Sequence, residues 1–211
     1  MNNLRLTVFD VFSYLIPGFC YVLLIMWATG EIQPAQMPSA TESLTLYSIL
    51  IYSFICYMIG FISDAISSLF IVKIMDSIRG DLRKRVSEKF KGLMDEENSE
   101  TYHFSWIYAF ADVKAPQARE KADQFSAMSG LSRNLSLAFF TFAIVTIAVE
   151  IFGLHRVGVL ALASETIGAL VISSILMFRA DTFRRWSHSH LLNVHKLLCE
   201  HDGGSRTGSP L

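Results

Sequence analysis

Apolar residues in this chain are gathered into four long blocks, at residues 12–28, 44–62, 135–152 and 157–178. A helix needs about 20 apolar residues to cross the roughly 30 Å hydrocarbon core of a bilayer, so each block predicts a transmembrane helix. The first is interrupted early by Pro17 and Gly18. A kink is tolerable there if neighbouring protein takes over the carbonyl that a helical proline leaves unpaired. The second block stays apolar past Asp64 as far as Lys73, long enough to tilt or to extend beyond the lipid. The third and fourth are joined by the short GLHRVG turn and predict an antiparallel hairpin.

Between the hairpins the pattern changes. Ile78, Leu82, Val86 and Phe90 fall four apart and Leu93 continues their face, while Arg79, Arg83, Lys84, Arg85, Lys89 and Lys91 occupy the other positions. This predicts an amphipathic helix leading away from span two, suited to anionic lipid headgroups or to a neighbouring subunit. Tyr102, Phe104, Trp106, Tyr108 and Phe110 then alternate, which fits a short strand, a membrane-interface segment or an irregular packed piece. Pro116 opens a further predicted helix that leads through Arg133 into span three, with Gly130 as a point of weakness before the bilayer. The stretch WSHSHLLNVHKLLCEH predicts a short juxtamembrane helix carrying Leu191, Leu192, Val194, Leu197 and Leu198, and GGSRTGSPL an unstructured end.

Composition agrees with the pattern: 52% of the 211 residues are apolar and 18% charged, against about 25% charged in soluble domains. The net charge of -1 is uninformative, but the placement of the charges is not. Lys and Arg are absent from residues 6–72, whereas eleven of the eighteen lie in 73–133 and five follow Phe178. The positive-inside rule then puts the basic loop and both termini on the cytosolic side of a bacterial inner membrane, with Arg156 the one exception. The first block has only Arg5 as a basic flank and no convincing small-x-small cleavage pattern, so it is expected to be a retained span rather than a removed signal. The expected organisation is a first transmembrane hairpin at 1–72, a cytosolic helical loop at 73–134, a second hairpin at 135–178 and a cytosolic tail at 179–211. In fold class this is an all-α polytopic membrane protein.

Acids inside apolar spans are costly and therefore informative. Glu165, in VGVLALASETIGALVISSILMF, has three readings: a part in gating or ion passage, a structural hydrogen bond between helices, or a place at the lipid edge. Asp64 falls on the inner half of span two and so is not expected to pair with Glu165 within one subunit. Glu150 and Glu165 come to comparable depths beside Arg156, which suits either an outer vestibule or simple stabilisation of the hairpin turn.

His188, His190, His195, Cys199 and His201 lack zinc-site spacing and read as a polar helix surface; no metal site is expected. Cys20, Cys56 and Cys199 form no motif and read as inert thiols. With no GxSxG or Walker pattern, neither a catalytic residue nor a cofactor is expected. In the basic inner helix cations alternate with acids, and direct nucleic-acid binding is not expected.

The segment VKAPQAREKADQFSAMSGLSRNLSLAFF resembles the pre-span segment of small bacterial four-span membrane proteins, some of them associated with antiphage defence, and the likeness extends to the membrane component of the Kiwa system. Arg119, Phe125, Arg133 and Asn134 carry it. The resemblance implies a sensor or effector working with a separate cytosolic protein. Joined to the basic helix, these residues define a candidate cytosolic coupling surface of Arg83, Lys84, Arg85, Arg119, Phe125, Arg133 and Asn134. The expected partners are the lipid bilayer, further copies of the chain and a cytosolic effector. The expected role is a non-enzymatic inner-membrane sensor or scaffold, and the competing one is an oligomeric pore or membrane-disrupting effector.

Overall fold

The computed structural model describes residues 8–29, 46–80, 104–152 and 159–205. Among them the chain forms five helices and no strand: α1 (Val8–Ala28), α2 (Leu46–Arg79), α3 (Phe104–Lys114), α4 (Pro116–Ile151) and α5 (Val159–Ser205). All but α3 are long and apolar enough to cross a membrane. The fold is that of an all-α, multi-pass membrane protein.

Three expectations about helix boundaries are corrected. The aromatic alternation before Lys114 is not a strand: α3 is a helix of 11 residues whose Tyr108 and Ala111, three apart, share a packed face. Gly130 does not break α4, which runs through 36 residues. The carboxyl-terminal helix is not a separate piece, because α5 continues from the apolar span for 47 residues. At 1.5 Å per residue α4 and α5 extend about 54 and 70 Å, roughly twice the hydrocarbon thickness. The expected amphipathic helix is corrected in part, since Ile78 and Arg79 belong to the end of α2, which stops at Gly80 in the left-handed region (φ 80°). Its remainder, with Arg83, Lys84 and Arg85, lies outside the described residues.

The chain divides into two compact units, one within residues 1–75 and 127–180, the other within 76–126 and 181–211. In the first, α1 and α2 meet backbone to backbone. A methyl group on Gly18 would overlap the Cys56 carbonyl, and one on Gly60 would overlap that of Tyr14, so each helix needs glycine where the other passes. Cys56, Gly60, Ser63, Ser67, Ile71 and Met75 form the buried stripe of α2 at helical spacing. Tyr14 closes the crossing with its edge contacts to Tyr57 and Phe61, 5.5 and 5.7 Å between ring centroids.

Helices α4 and α5 pack through hydroxyls at a seven-residue step. Ser136 and Ser173 each donate to the other's backbone carbonyl at 2.8 Å, and Ser129 donates to the Ala180 carbonyl at 2.8 Å. Small residues let the backbones approach, and the hydroxyls bond where an apolar side chain would leave the close contact unsatisfied. The next step of the same register leads to Ala143, which is buried, and Thr166, whose buried Oγ1 has no partner among the described residues.

The second unit has its core in Ala111, Ala122, Leu191 and Leu192, with Tyr108 packed against them. Ala115 is the single residue between α3 and α4. Its N–H completes α3 on the Ala111 carbonyl, and its own carbonyl receives the Arg119 N–H that begins α4, with Pro116 in the first turn where a missing N–H costs nothing.

Candidate functional site

The polar groups of the first unit converge on one seam. Pro17 is buried and has no N–H, so the Ser13 carbonyl four residues earlier loses its helical partner. Asn134 of α4 supplies the replacement: its Nδ2 donates to the Ser13 oxygen at 3.3 Å. The Asn134 amide oxygen in turn accepts from the Ser67 hydroxyl at 2.5 Å, and that hydroxyl accepts from Arg133 Nε at 3.1 Å. Arg133 completes the chain with an ion pair to Asp64, Nη2 to Oδ1 at 2.6 Å. Ser13 closes the seam by donating to the Ala127 carbonyl at 3.0 Å.

Three helices are thus joined by one hydrogen-bonded series whose inner members, Ser67 and Asn134, are fully buried, while Asp64 and Arg133 keep 26% and 18% of their side chains exposed. The charged pair is thus open at one end of the series, whereas the neutral part is enclosed, and each buried group there depends on its neighbour.

A second cluster, in the other unit, centres on Asp181. Its side chain is wholly covered and accepts from Arg185 Nε at 2.7 Å, Arg184 Nη2 at 2.9 Å and Arg79 Nη1 at 3.0 Å. Arg184 also reaches Asp76 at 2.5 Å, and Arg185 donates to the Gly80 carbonyl at 3.4 Å. Asp181 lies beyond Phe178, where the apolar run of α5 has already covered the distance that a bilayer crossing requires. Burial by itself would push its carboxyl up, but the hydrogen bonds and charges of Arg185 and Arg184 outweigh this and hold it below the usual carboxylate range.

The sequence-predicted residues divide among these surroundings. Asp64, Arg133 and Asn134 come together in the first seam. Asn134 therefore is not a surface group: it is fully buried and replaces a backbone hydrogen bond. Arg119 stacks over the Tyr108 ring, 4.3 Å from its centroid, and forms ion pairs with Asp112 and Asp123 at 3.1 and 2.9 Å, all within the second unit. Phe125 packs among Phe183, Trp186 and His190. Glu150 is half-buried near the end of α4, whereas Glu165 is exposed on α5, and among the described residues nothing pairs with it. The turn bearing Arg156 lies outside the described residues, so the predicted grouping of Glu150, Glu165 and Arg156 does too.

His188, His190 and His195 of α5 are better described as aromatic packers than as a polar surface. His188 meets Tyr108, His190 meets Phe125 and His195 meets Phe110, with ring centroids 6.5, 6.5 and 4.7 Å apart. Asp181 escaped the sequence reading although the local signal was there, an acid followed by arginines three and four residues later, where a helix puts them on one face. Comparison with protein-family models, with curated proteins and with solved structures finds no match.

Proposed function

We propose that the chain is a non-catalytic membrane sensor or scaffold of the bacterial inner membrane, assembled from several copies, which couples the state of its spans to a cytosolic partner. The observation that supports this is the length of α4 and α5, unbroken over 36 and 47 residues, each contributing to both compact units. Both helices are continuous across their polar and apolar parts, so a shift or rotation of the apolar part is passed along the axis. The Asp64–Arg133 pair is the element with two available arrangements, closed as an ion pair or open to water, because both partners are partly exposed. Association with antiphage defence rests on the resemblance of the 113–140 segment.

The test is a fluorophore at Val113→Cys, an exposed site on α3, in full-length protein whose native cysteines are replaced by serine and which is reconstituted in sealed vesicles. Osmotic tension or an imposed potential is expected to change its emission, and Asp64→Asn to change the response. An emission that ignores both stimuli removes the coupling reading.

The pore reading keeps one observation of its own: Glu165 is exposed along an apolar span, the placement an acid would have if it lined a path between copies. Ion flux in the same vesicles that falls in Glu165→Gln would favour the pore. Absence of flux in both proteins would favour the sensor.

A further inference from the structure

We infer that the Asp181 cluster is a binding site for the phosphodiester headgroup of an anionic phospholipid. Among the described residues, Arg79, Arg184 and Arg185 face only two carboxylates, those of Asp76 and Asp181, which leaves one formal positive charge in excess there. The donors are in excess as well. Arg79 commits a single Nη1 contact to Asp181, although a guanidinium carries five N–H groups, and its side chain is 39% exposed. Asp181 cannot take up the remainder, because it already accepts from all three arginines and is itself covered. The acid therefore acts as the internal brace that holds the three forks together at a spacing their mutual repulsion would otherwise open.

Position selects the ligand. Asp181 is three residues past the end of the apolar run of α5, and Arg184 and Arg185 follow within about 10 Å along the helix. That is the depth at which lipid phosphates lie. Trp186, 45% exposed, sits next in sequence and is packed against Phe183, and an amphipathic ring of this kind belongs at headgroup level. Arginine rather than lysine suits the task, since its planar fork takes two oxygens of one phosphate. A zwitterionic headgroup brings its own cation and leaves the excess charge of the cluster unmatched; a headgroup such as phosphatidylglycerol does not. The site needs no cytosolic partner and stands apart from the signalling reading.

The experiment uses full-length protein in detergent, titrated separately with phosphatidylglycerol, phosphatidylcholine and inorganic phosphate, with bound lipid counted by native mass spectrometry and the thermal midpoint recorded in parallel. Phosphatidylglycerol is expected to bind and to raise the midpoint, phosphatidylcholine and phosphate to do neither. Arg79→Gln is expected to weaken phosphatidylglycerol binding about tenfold, the loss of one charge-assisted contact, and Arg79→Lys by less. Because Arg184 and Arg185 still brace Asp181 in both variants, each is expected to fold; should Arg79→Gln fail to fold, Arg79→Lys carries the comparison. Equal binding of phosphatidylcholine, or undiminished phosphatidylglycerol binding in the variants that fold, overturns the site. A midpoint shift produced by phosphate alone overturns its assignment to lipid.

Discussion

The two compact units solve the problem of burying polar groups in opposite ways. In the unit built from the apolar parts of α1, α2, α4 and α5, contact is made by small residues and by local hydrogen bonds, with a single acid meeting a single base at the end of one hydrogen-bonded series. In the other unit one acid is shared by three bases, and aromatic rings and imidazoles pack beside a small core of alanine and leucine. The difference follows from the solvent each sequence is built for. Between apolar helices in lipid there is little hydrophobic gain from association, so close backbone approach and local hydrogen bonds must hold the contact. Where water is available, large side chains gain by leaving it, and an excess of charge can be carried at a surface.

If this contrast is right, Asp181 is the most costly single position. Asp181→Asn leaves three guanidiniums facing Asp76 alone and is expected to destabilise by about 3–5 kcal/mol, read as a fall in the detergent unfolding midpoint. A matching pH effect has a definite sign. Because the folded carboxyl titrates below its ordinary value, its contribution is complete above the unfolded value of about 3.9 and is lost as the pH falls through the lower folded value. Melting curves recorded through that window should shift more in the wild type than in Asp181→Asn, the difference being the part carried by Asp181.

Next in size come the glycines, which separate required from incidental small residues. Gly18→Ala or Gly60→Ala drives a methyl into a backbone carbonyl and is expected to cost about 1–3 kcal/mol, with loss of monodisperse protein on size exclusion. Gly168→Ala is the counterpart, since nothing lies within 4 Å of its added Cβ. There the better helix former is expected to be neutral or to stabilise by up to about 1 kcal/mol.

Asp64→Asn should cost less than Asp181→Asn, about 1–2 kcal/mol, because the pair it breaks is single and partly exposed. A double-mutant cycle with Arg133→Gln measures the coupling directly. A cost equal to that of Asp181→Asn would erase the distinction between the two units. The smallest effect belongs to Thr166→Val, which removes a buried hydroxyl that has no partner among the described residues and is expected to be neutral or stabilising by about 1 kcal/mol. A clear loss of stability would mean that the hydroxyl has a partner in the assembled protein.

Much of this architecture could be read from the chain, and what could not has a common cause. Apolar blocks of bilayer length outweigh every competing local signal, so the four spans were legible. The seam was half legible: Pro17 announces a carbonyl in need, but the group that serves it, Asn134, is 121 residues from Ser13, and no local pattern reports such a distance. For the same reason the Asp181 cluster was visible only in its local part, the arginines that follow it, and not in Arg79, which is 102 residues away. Helix ends were misjudged where polarity changes, as at Gly130, because a helix continues by satisfying its own backbone whether its surroundings are lipid or water. The aromatic alternation misled because five alternate positions over nine residues are too short a sample to outvote a helix fixed by packing of Tyr108 and Ala111.

The Asp64–Arg133 pair also has a history in time. Its two members are 69 residues apart, so a ribosome working at roughly 5–20 residues per second makes the acid roughly 3–14 s before the base. During that interval the first hairpin has to remain in the membrane with its charge unanswered and the Ser13 carbonyl unserved. Arg133 and Asn134 arrive together, side by side on the same turn, and settle both debts in one event. Until α4 docks, neither the Asp64 carboxylate nor the Ser13 carbonyl has the partner it holds in the folded protein.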